Sequence, residues 1–340
     1  MATTRIADLP IKPTYFASII EQRSLALDAF VQSGIAVVDA GASLFLQQND
    51  NAARTYSPRY LGPLPDEEEN ASTDDPAVKS TPSKITGFVN TAVRHDLNKS
   101  WSTMDLAVSL AGRDPMGAVR NQLADYWRHR RQARLLASVK GVVAESVASH
   151  GGDLVNDIST NAGADGLINE HAIIDAATTL GDRADSAKVM CVHSTVYATM
   201  SKLNLIQTER LESQPRSFRS FLGYEVIQDD DMTTGQVNMG TGQSPNMQTT
   251  YYTYIFGPGA VAIGSGAPKV PFESKRDPDA GNGGGQETIF SRVSWIVHPQ
   301  GYSFGVTSGT PTYAQLELGT NWTRAWERKR IPLAVIISRG

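Results

Sequence analysis

Six histidines, at positions 95, 129, 150, 171, 193 and 298, and a single cysteine, Cys191, are by type the residues of this chain best suited to acid–base, nucleophilic or metal chemistry. No two of the histidines stand at the spacing that lets one helix face present both to a metal, and no His-Glu-x-x-His run occurs. Cys191 and His193 belong to Lys188-Val-Met-Cys-Val-His193, an apolar stretch that reads as a buried strand. Two residues on one strand share a face without forming an oriented set of nucleophile, base and orienter, so Cys191 reads as a small buried hydrophobe. Asp229-Asp230-Asp231 offers carboxylate oxygens that suit a hard divalent cation, yet consecutive acids at a strand end read better as a solvated turn. The downstream Glu of a calcium loop is missing. Gly257-Pro258-Gly259-Ala260-Val261-Ala262 matches G-x-G-x-x-A by letter, but Ile263-Gly-Ser-Gly-Ala-Pro268 cannot open the helix that would hold a pyrophosphate. A hairpin turn is the expectation there.

Two charge clusters remain. Asp66, Glu67, Glu68 and Glu69 form the densest acidic run, and Arg128, Arg130, Arg131 and Arg134 the densest basic one. On a helix the four arginines spread around much of the circumference. Three uses stay open for them: phosphate, the carboxylates of a neighbour such as Asp66 to Glu69, or plain solvation. Lys and Arg total 31 against 35 for Asp and Glu, a formal charge of -4, which disfavours wholesale capture of phosphates.

The element that must carry the arginines is the strongest in the chain. Asp114-Pro115 is a capping residue followed by a proline at the first helical position, and no further proline occurs before Pro215. Met116, Val119, Leu123 and Tyr126, then Leu135, Leu136, Val139, Val142, Val143 and Val147, continue an apolar stripe. The pattern predicts one helix from 115 to about 148, about 50 Å long at about 1.5 Å per residue. Gly141 is a candidate break and Gly151-Gly152 the expected stop. The acidic run sits in a contrasting stretch, 56–82, where Pro58, Pro63, Pro65, Pro76 and Pro82 interrupt regular structure and predict an exposed, projecting loop. After it, alternation from Ile85 to Leu97 predicts one long strand.

Elsewhere, Tyr15 to Leu27 has near-helical spacing with a stop at Ser33-Gly34, and Ile35 to Val38 suits a short strand. Helices are expected over 171–180 and 196–203. Strands are expected over 188–193, 223–228, 251–256, 260–263, 289–297, 302–306 and 333–337, with a polar glycine-rich loop between Lys269 and Gln286. The fold class is α+β, without internal repeats. At 340 residues and 40% hydrophobic composition, about two domains are expected. One cysteine excludes an intrachain disulfide, the N-terminus shows no apolar signal core, and no stretch approaches the roughly 18 apolar residues of a membrane span. A soluble enzyme and a structural subunit made in the cytosol are the classes that remain.

Six stretches, in order along most of the chain, resemble a tailed-phage major capsid family built on the Hong Kong 97 type of coat-protein fold. They are Phe30-Val-Gln-Ser-Gly-Ile35, Ser100-Trp-Ser-Thr-Met-Asp-Leu-Ala107, and Ala111-Gly-Arg-Asp-Pro-Met116 leading to Tyr126-Trp127. The others are Val192-His-Ser-Thr-Val-Tyr197, Tyr254-Ile-Phe-Gly-Pro-Gly-Ala260 with Ile296-Val-His-Pro-Gln-Gly-Tyr302, and Thr320-Asn-Trp-Thr-Arg-Ala-Trp-Glu-Arg-Lys-Arg-Ile331. The resemblance implies an N-terminal arm over 1–48, an extended loop over 49–100, and a peripheral domain with a spine helix over 101–155. It further implies an axial domain over 156–287 and a return to the peripheral domain with a C-terminal strand over 288–340. It implies a shell subunit assembling as hexamers and pentamers around double-stranded DNA, made in the bacterial host's cytoplasm and ending in the virion. No catalytic residue, cofactor, metal or membrane is implied, and scaffolding, portal and decoration proteins are the expected partners. The fold's founding member crosslinks lysine to asparagine, but no matching motif surrounds Lys79, Lys84 or Lys99. Asp66 to Glu69 and Arg128, Arg130, Arg131 and Arg134 are the expected contacts between subunits. The rival readings are a soluble enzyme with a site in 153–287 that uses Asp229 to Asp231 or His193, and a tail-tube or adaptor protein. A tail-tube or adaptor protein would lack the spine helix.

Overall fold

Asp114 accepts a hydrogen bond from the Met116 backbone amide at 2.9 Å, Pro115 opens the helix, and the helix then runs unbroken through 35 residues to Ser149. Gly151 and Gly152, at φ +65° and +74°, end it, as their freedom from a Cβ allows. Gly141 does not break the helix. It lies where the Leu316 carbonyl and the Trp322 indole press against the backbone, and only glycine leaves room for them.

The computed structural model describes residues 33–47, 53–62, 64, 67–111, 114–203, 206–210, 217–239, 246–266 and 268–340. The predicted helix over 15–27, Pro63, Pro65 and Asp66 lie outside the described residues. Along the chain come β1 (Ala36–Val38), α1 (Ala40–Gln47), β2 (Thr55–Tyr56), β3 (Arg59–Leu61), β4 (Gly87–Val89), β5 (Ala92–Val93) and β6 (His95–Met104). Then follow α2 (Asp105–Ala111), the long α3 (Pro115–Ser149), β7 (Val155–Asp157), α4 (Glu170–Thr178), β8 (Val189–Val192) and α5 (Ser194–Lys202). The next strands are β9 (Gln207–Arg210), β10 (Ser217–Phe221), β11 (Tyr224–Gln228), β12 (Thr234–Asn238), β13 (Met247–Phe256) and β14 (Val261–Gly266). The chain finishes with β15 (Phe272–Asp277), β16 (Gln286–Pro299), β17 (Tyr302–Phe304), α6 (Tyr313–Glu317), β18 (Trp322–Arg324) and β19 (Leu333–Ser338).

Two sheets flank α3. In the first, β16 is the central strand: β6 pairs along one edge, β14 and β15 share the other, and β1 joins β14 in parallel. The second has the order β7-β19-β13-β8-β11-β10-β9, with β12 on β13. One apolar core joins them through the helix: Leu135, Leu136, Val139 and Val142 pack with Trp295 and Val297 of the first sheet and with Tyr254, Phe256 and Val335 of the second. A second core lies on the far side of the eight-stranded sheet, where α4 and α5 contribute Ile173, Val196 and Met200. The period-2 alternation of β13 therefore serves two layers, with Tyr254 and Phe256 facing α3 and Ile255 facing the outer helices.

Three expectations change. The run from Ile85 to Leu97 is three strands, because β4 pairs with β3, β5 with β2, and β6 with β16. The loop expected between Lys269 and Gln286 contains β15, whose six residues are all exposed; a ladder to β16 holds it, so no hydrophobic period marks it. The Gly257–Gly259 turn is not a hairpin, since β13 and β14 lie in different sheets. β14 and β15 belong with β16 in the first sheet, whereas β19 lies between β7 and β13 in the second.

Candidate assembly surface

Residues 53–62 and 86–94 run as the two legs of a narrow ribbon. Besides the β2–β5 and β3–β4 pairs, Asn90 N–H donates to the Pro58 carbonyl at 3.3 Å and Arg94 N–H to that of Arg54 at 2.9 Å. Beyond the legs, every described residue from 67 to 89 is exposed, and 67–86 carries no helix or strand. This surface is apolar at several points: Leu61 is 78% exposed and Leu64 74%, with Val78, Ile85, Phe88 and Val89 also open. Glu67, Glu68 and Glu69 stand here, and Glu67 accepts a hydrogen bond from Ser83 Oγ. Among the described residues, none of these three glutamates forms an ion pair with a basic side chain of its own chain. An isolated two-stranded ribbon is at best marginally stable in water, so this one gains its order from what it touches.

The basic cluster occupies the middle of α3 and divides. Arg128 is exposed and lies 3.3 Å from Asp125 one turn back. Arg130 is exposed over the Tyr126 ring, 5.5 Å from its centroid, and hydrogen bonding to that phenol raises its pKa. Arg131 is half-buried. Arg134 is only 5% exposed and turns inward: its Nη1 donates to the Pro311 carbonyl at 2.9 Å and approaches His95 Nδ1 at 3.4 Å, with the guanidinium 5.0 Å from the Tyr313 ring centroid. Arg134 thus faces inward within the subunit, whereas Arg128 and Arg130 face outward. Burial, then Arg134 and then His298, lower the His95 pKa to about 3, so this imidazole is neutral and accepts from the guanidinium. Trp127, Trp101, Tyr126 and Trp295 hold this half of the helix against the first sheet through edge-to-face contacts of 5.1–5.6 Å.

The residues weighed for chemistry take structural places. Cys191 is fully buried in β8, and burial, followed by Asp229 and Glu225, pushes its thiol pKa well up. His193 caps α5, its Nδ1 accepting the Thr195 amide at 3.1 Å. The three aspartates are not a uniformly solvated turn. Asp229 is 8% exposed and accepts from Gln132 of α3, Asp230 accepts the Ser194 amide at the start of α5 at 3.3 Å, and Asp231 lies 3.4 Å from His129. Asp229 and Asp231 thus fasten the second sheet to the long helix and Asp230 ties it to α5, and burial raises the Asp229 pKa. Among the described residues no group of three or more His, Cys, Asp or Glu side chains could hold a metal ion, and no helix is long and apolar enough to cross a membrane. A cavity of about 10 Å³ between α3 and the two sheets, lined by Val139, Phe256, Tyr302 and others, is at the lower limit for one water.

A capped helix of 35 residues between two sheets, with an exposed ribbon leading out before it, defines the class. Two solved structures share the fold: the capsid of Ralstonia phage GP4, with a TM-score of 0.55 and 9% identity over 91% of this chain and 90% of that one, and the head structure of Helicobacter pylori bacteriophage KHP40, with 0.54 and 11% over 100% and 98%. The chain has the α+β fold of the Hong Kong 97 type. Residues 118–331 match the model of the Gp13-like family, described as major capsid protein 13-like, and the chain belongs to that family. A curated relative, the major capsid protein of Bacillus phage SPP1, is 29% identical over 334 residues, which cover 97% of each chain. The protein is therefore a major capsid protein, a structural subunit of a tailed-phage head shell.

Proposed function

We propose that the chain assembles as hexamers and pentamers of an icosahedral shell around double-stranded DNA, with the 53–94 ribbon of each subunit lying on a neighbour. The single observation that carries this reading is the ribbon itself. Leu61 and Leu64 at 78% and 74% exposure, and an unbroken exposed run from 67 to 89, have no core of their own to order them. A second subunit supplies the missing surface, and heterologous contacts of this kind close into rings. Glu67, Glu68 and Glu69, with Asp66 beside them in sequence, face Arg128, Arg130 and Arg131 of the neighbour in this reading. Complementary charge sets the register of such a contact and suppresses wrong pairings.

In domain terms, the arm covers 1–48, the extended loop 49–100 and the peripheral domain 101–155. The peripheral domain regains the chain over 261–332, and the axial domain takes 156–260 with the strand from 333. The formal charge of -4 suits a container wall that does not grip its DNA. The role is structural and not catalytic, the protein is made in the bacterial cytoplasm, and scaffolding, portal and decoration proteins are its partners. Deleting 64–85 and closing the ribbon with a short turn tests the assembly role. A folded subunit that forms no particles under electron microscopy is the expected result, and normal particles would overturn it.

A further inference from the structure

The ribbon is three residues wide in pairing at β3–β4 and two at β2–β5, too little to fix its own direction. Its root is fastened instead by the β17–β18 pair. Alternation along β17 sends Tyr302 and Phe304, 0% and 3% exposed, into the core and turns Ser303 the other way. Ser303 Oγ donates to the Val89 carbonyl at 3.1 Å and accepts the Thr91 amide at 3.2 Å, while the Phe304 amide donates to the Thr91 carbonyl at 2.9 Å. The outgoing leg is held by Tyr60, whose ring meets Trp326 edge to face at 5.7 Å and 88°.

Trp326 is in turn fixed to the long helix. Its amide donates to the Gly301 carbonyl at 3.1 Å, and its own carbonyl accepts Arg324 Nε at 2.9 Å. The Arg324 side chain, 8% exposed, donates through Nη1 to Asp153 Oδ2 at 2.6 Å, and Asp153 Oδ1 accepts Ser146 Oγ of α3 at 2.9 Å. Each step from Ser146 through Asp153, Arg324 and Trp326 to Tyr60 is a direct contact, and its ionic step is charge-assisted and largely shielded from water, where such bonds are strong.

We infer that Arg324 and Trp326 are positioning residues that lock the direction of the 53–94 ribbon to the C-terminal end of α3. The inference rests on the reading that this ribbon reaches a neighbour, since direction matters only to a segment that must find a partner. A contiguous route of contacts is not itself proof of coupling, so the test measures direction in the unassembled subunit. Nitroxide labels at Arg59→Cys on the ribbon and Ala148→Cys on the exposed end of α3 report the distance between them. Native Cys191, 0% exposed, stays unlabelled.

A narrow distance distribution is expected for the native ribbon. Trp326→Ala should broaden it by about twofold or more with the melting temperature of the body little changed, whereas Trp326→Phe, which keeps an edge-to-face ring, should preserve it. Arg324→Gln should broaden it as well. Should Arg324→Gln fail to fold, Trp326→Ala decides alone, and an unchanged width in Trp326→Ala overturns the inference. The deletion of 64–85 tests the reach to a neighbour separately: a ribbon that loses its direction in Trp326→Ala but whose removal leaves particles intact would sink only the assembly reading.

Discussion

Replacing Gly141 with alanine sets two effects of opposite sign against each other inside the long helix. Helix propensity favours alanine, and on an open helix surface the change would stabilise. Here the new methyl would meet the Leu316 carbonyl oxygen and Trp322 Nε1 inside contact distance, with Trp322 Cδ1 at 2.8 Å. Trp322 cannot easily step back. It is 3% exposed, packs on Phe304 at 4.8 Å between centroids, and donates from Nε1 to the Leu316 carbonyl at 2.7 Å. Overpacking costs about 1–3 kcal/mol and an indole N–H left unpaired about 1–3 kcal/mol, against about 1 kcal/mol gained from propensity, so a net loss of about 1–5 kcal/mol is expected. Urea denaturation of the full-length subunit, followed by tryptophan fluorescence, reads this as a lower midpoint at unchanged slope. A midpoint equal to or above the native one would mean that propensity decides, and that the close approach of the 316–322 segment to α3 is not as described.

Acid should weaken the subunit through two histidines. His95 and His298 have pKa values lowered to about 3 and about 4, both chiefly by burial, so the unfolded chain takes up these protons from about pH 6.5 downward while the folded chain does not. Stability from each is full above pH 6.5 and falls by about 1.4 kcal/mol per pH unit until the folded pKa is reached. The slope of unfolding free energy against pH between 4 and 6 should be shallower in a stable His298→Gln variant, and an equal slope would refute the assignment. Reversing Glu67, Glu68 and Glu69 to lysine should lower particle yield, and reversing Arg128, Arg130 and Arg131 to glutamate in the same chain should partly restore it. Each exposed pair is worth only about 0–1 kcal/mol, but the contact recurs in every copy. A double reversal that assembles no better than either single one, or particles indifferent to salt, would leave solvation as the account of both clusters.

The parts of this fold written in local chemistry were legible in the sequence. Asp114, Pro115 and the proline-free stripe after them define α3, and the prolines from 58 to 82 mark the exposed stretch, because caps and prolines act on their own backbone. What depends on a distant partner was not. β15 is exposed on all six residues and owes its form to β16, so it carries no apolar rhythm. β19 is an apolar run whose place between β7 and β13 no local signal specifies. The four arginines spread around much of the helix circumference, but which of them turns inward, Arg134 toward His95 and Tyr313, depends on partners distant in the chain. The staple at Ser303, Arg324 and Trp326 joins three separate stretches and has no motif; the alternation of Tyr302 and Phe304 around Ser303 was the one available hint.

Electron cryomicroscopy of particles formed by the full-length chain tests the central claim most directly. Closed shells of pentameric and hexameric units are predicted, in which residues 64–89 of each subunit lie on an adjacent copy and Glu67 to Glu69 approach Arg128, Arg130 and Arg131 of that copy. Shells in which this ribbon folds back on its own subunit, or a chain that stays monomeric with its expected assembly partners present, would contradict the account.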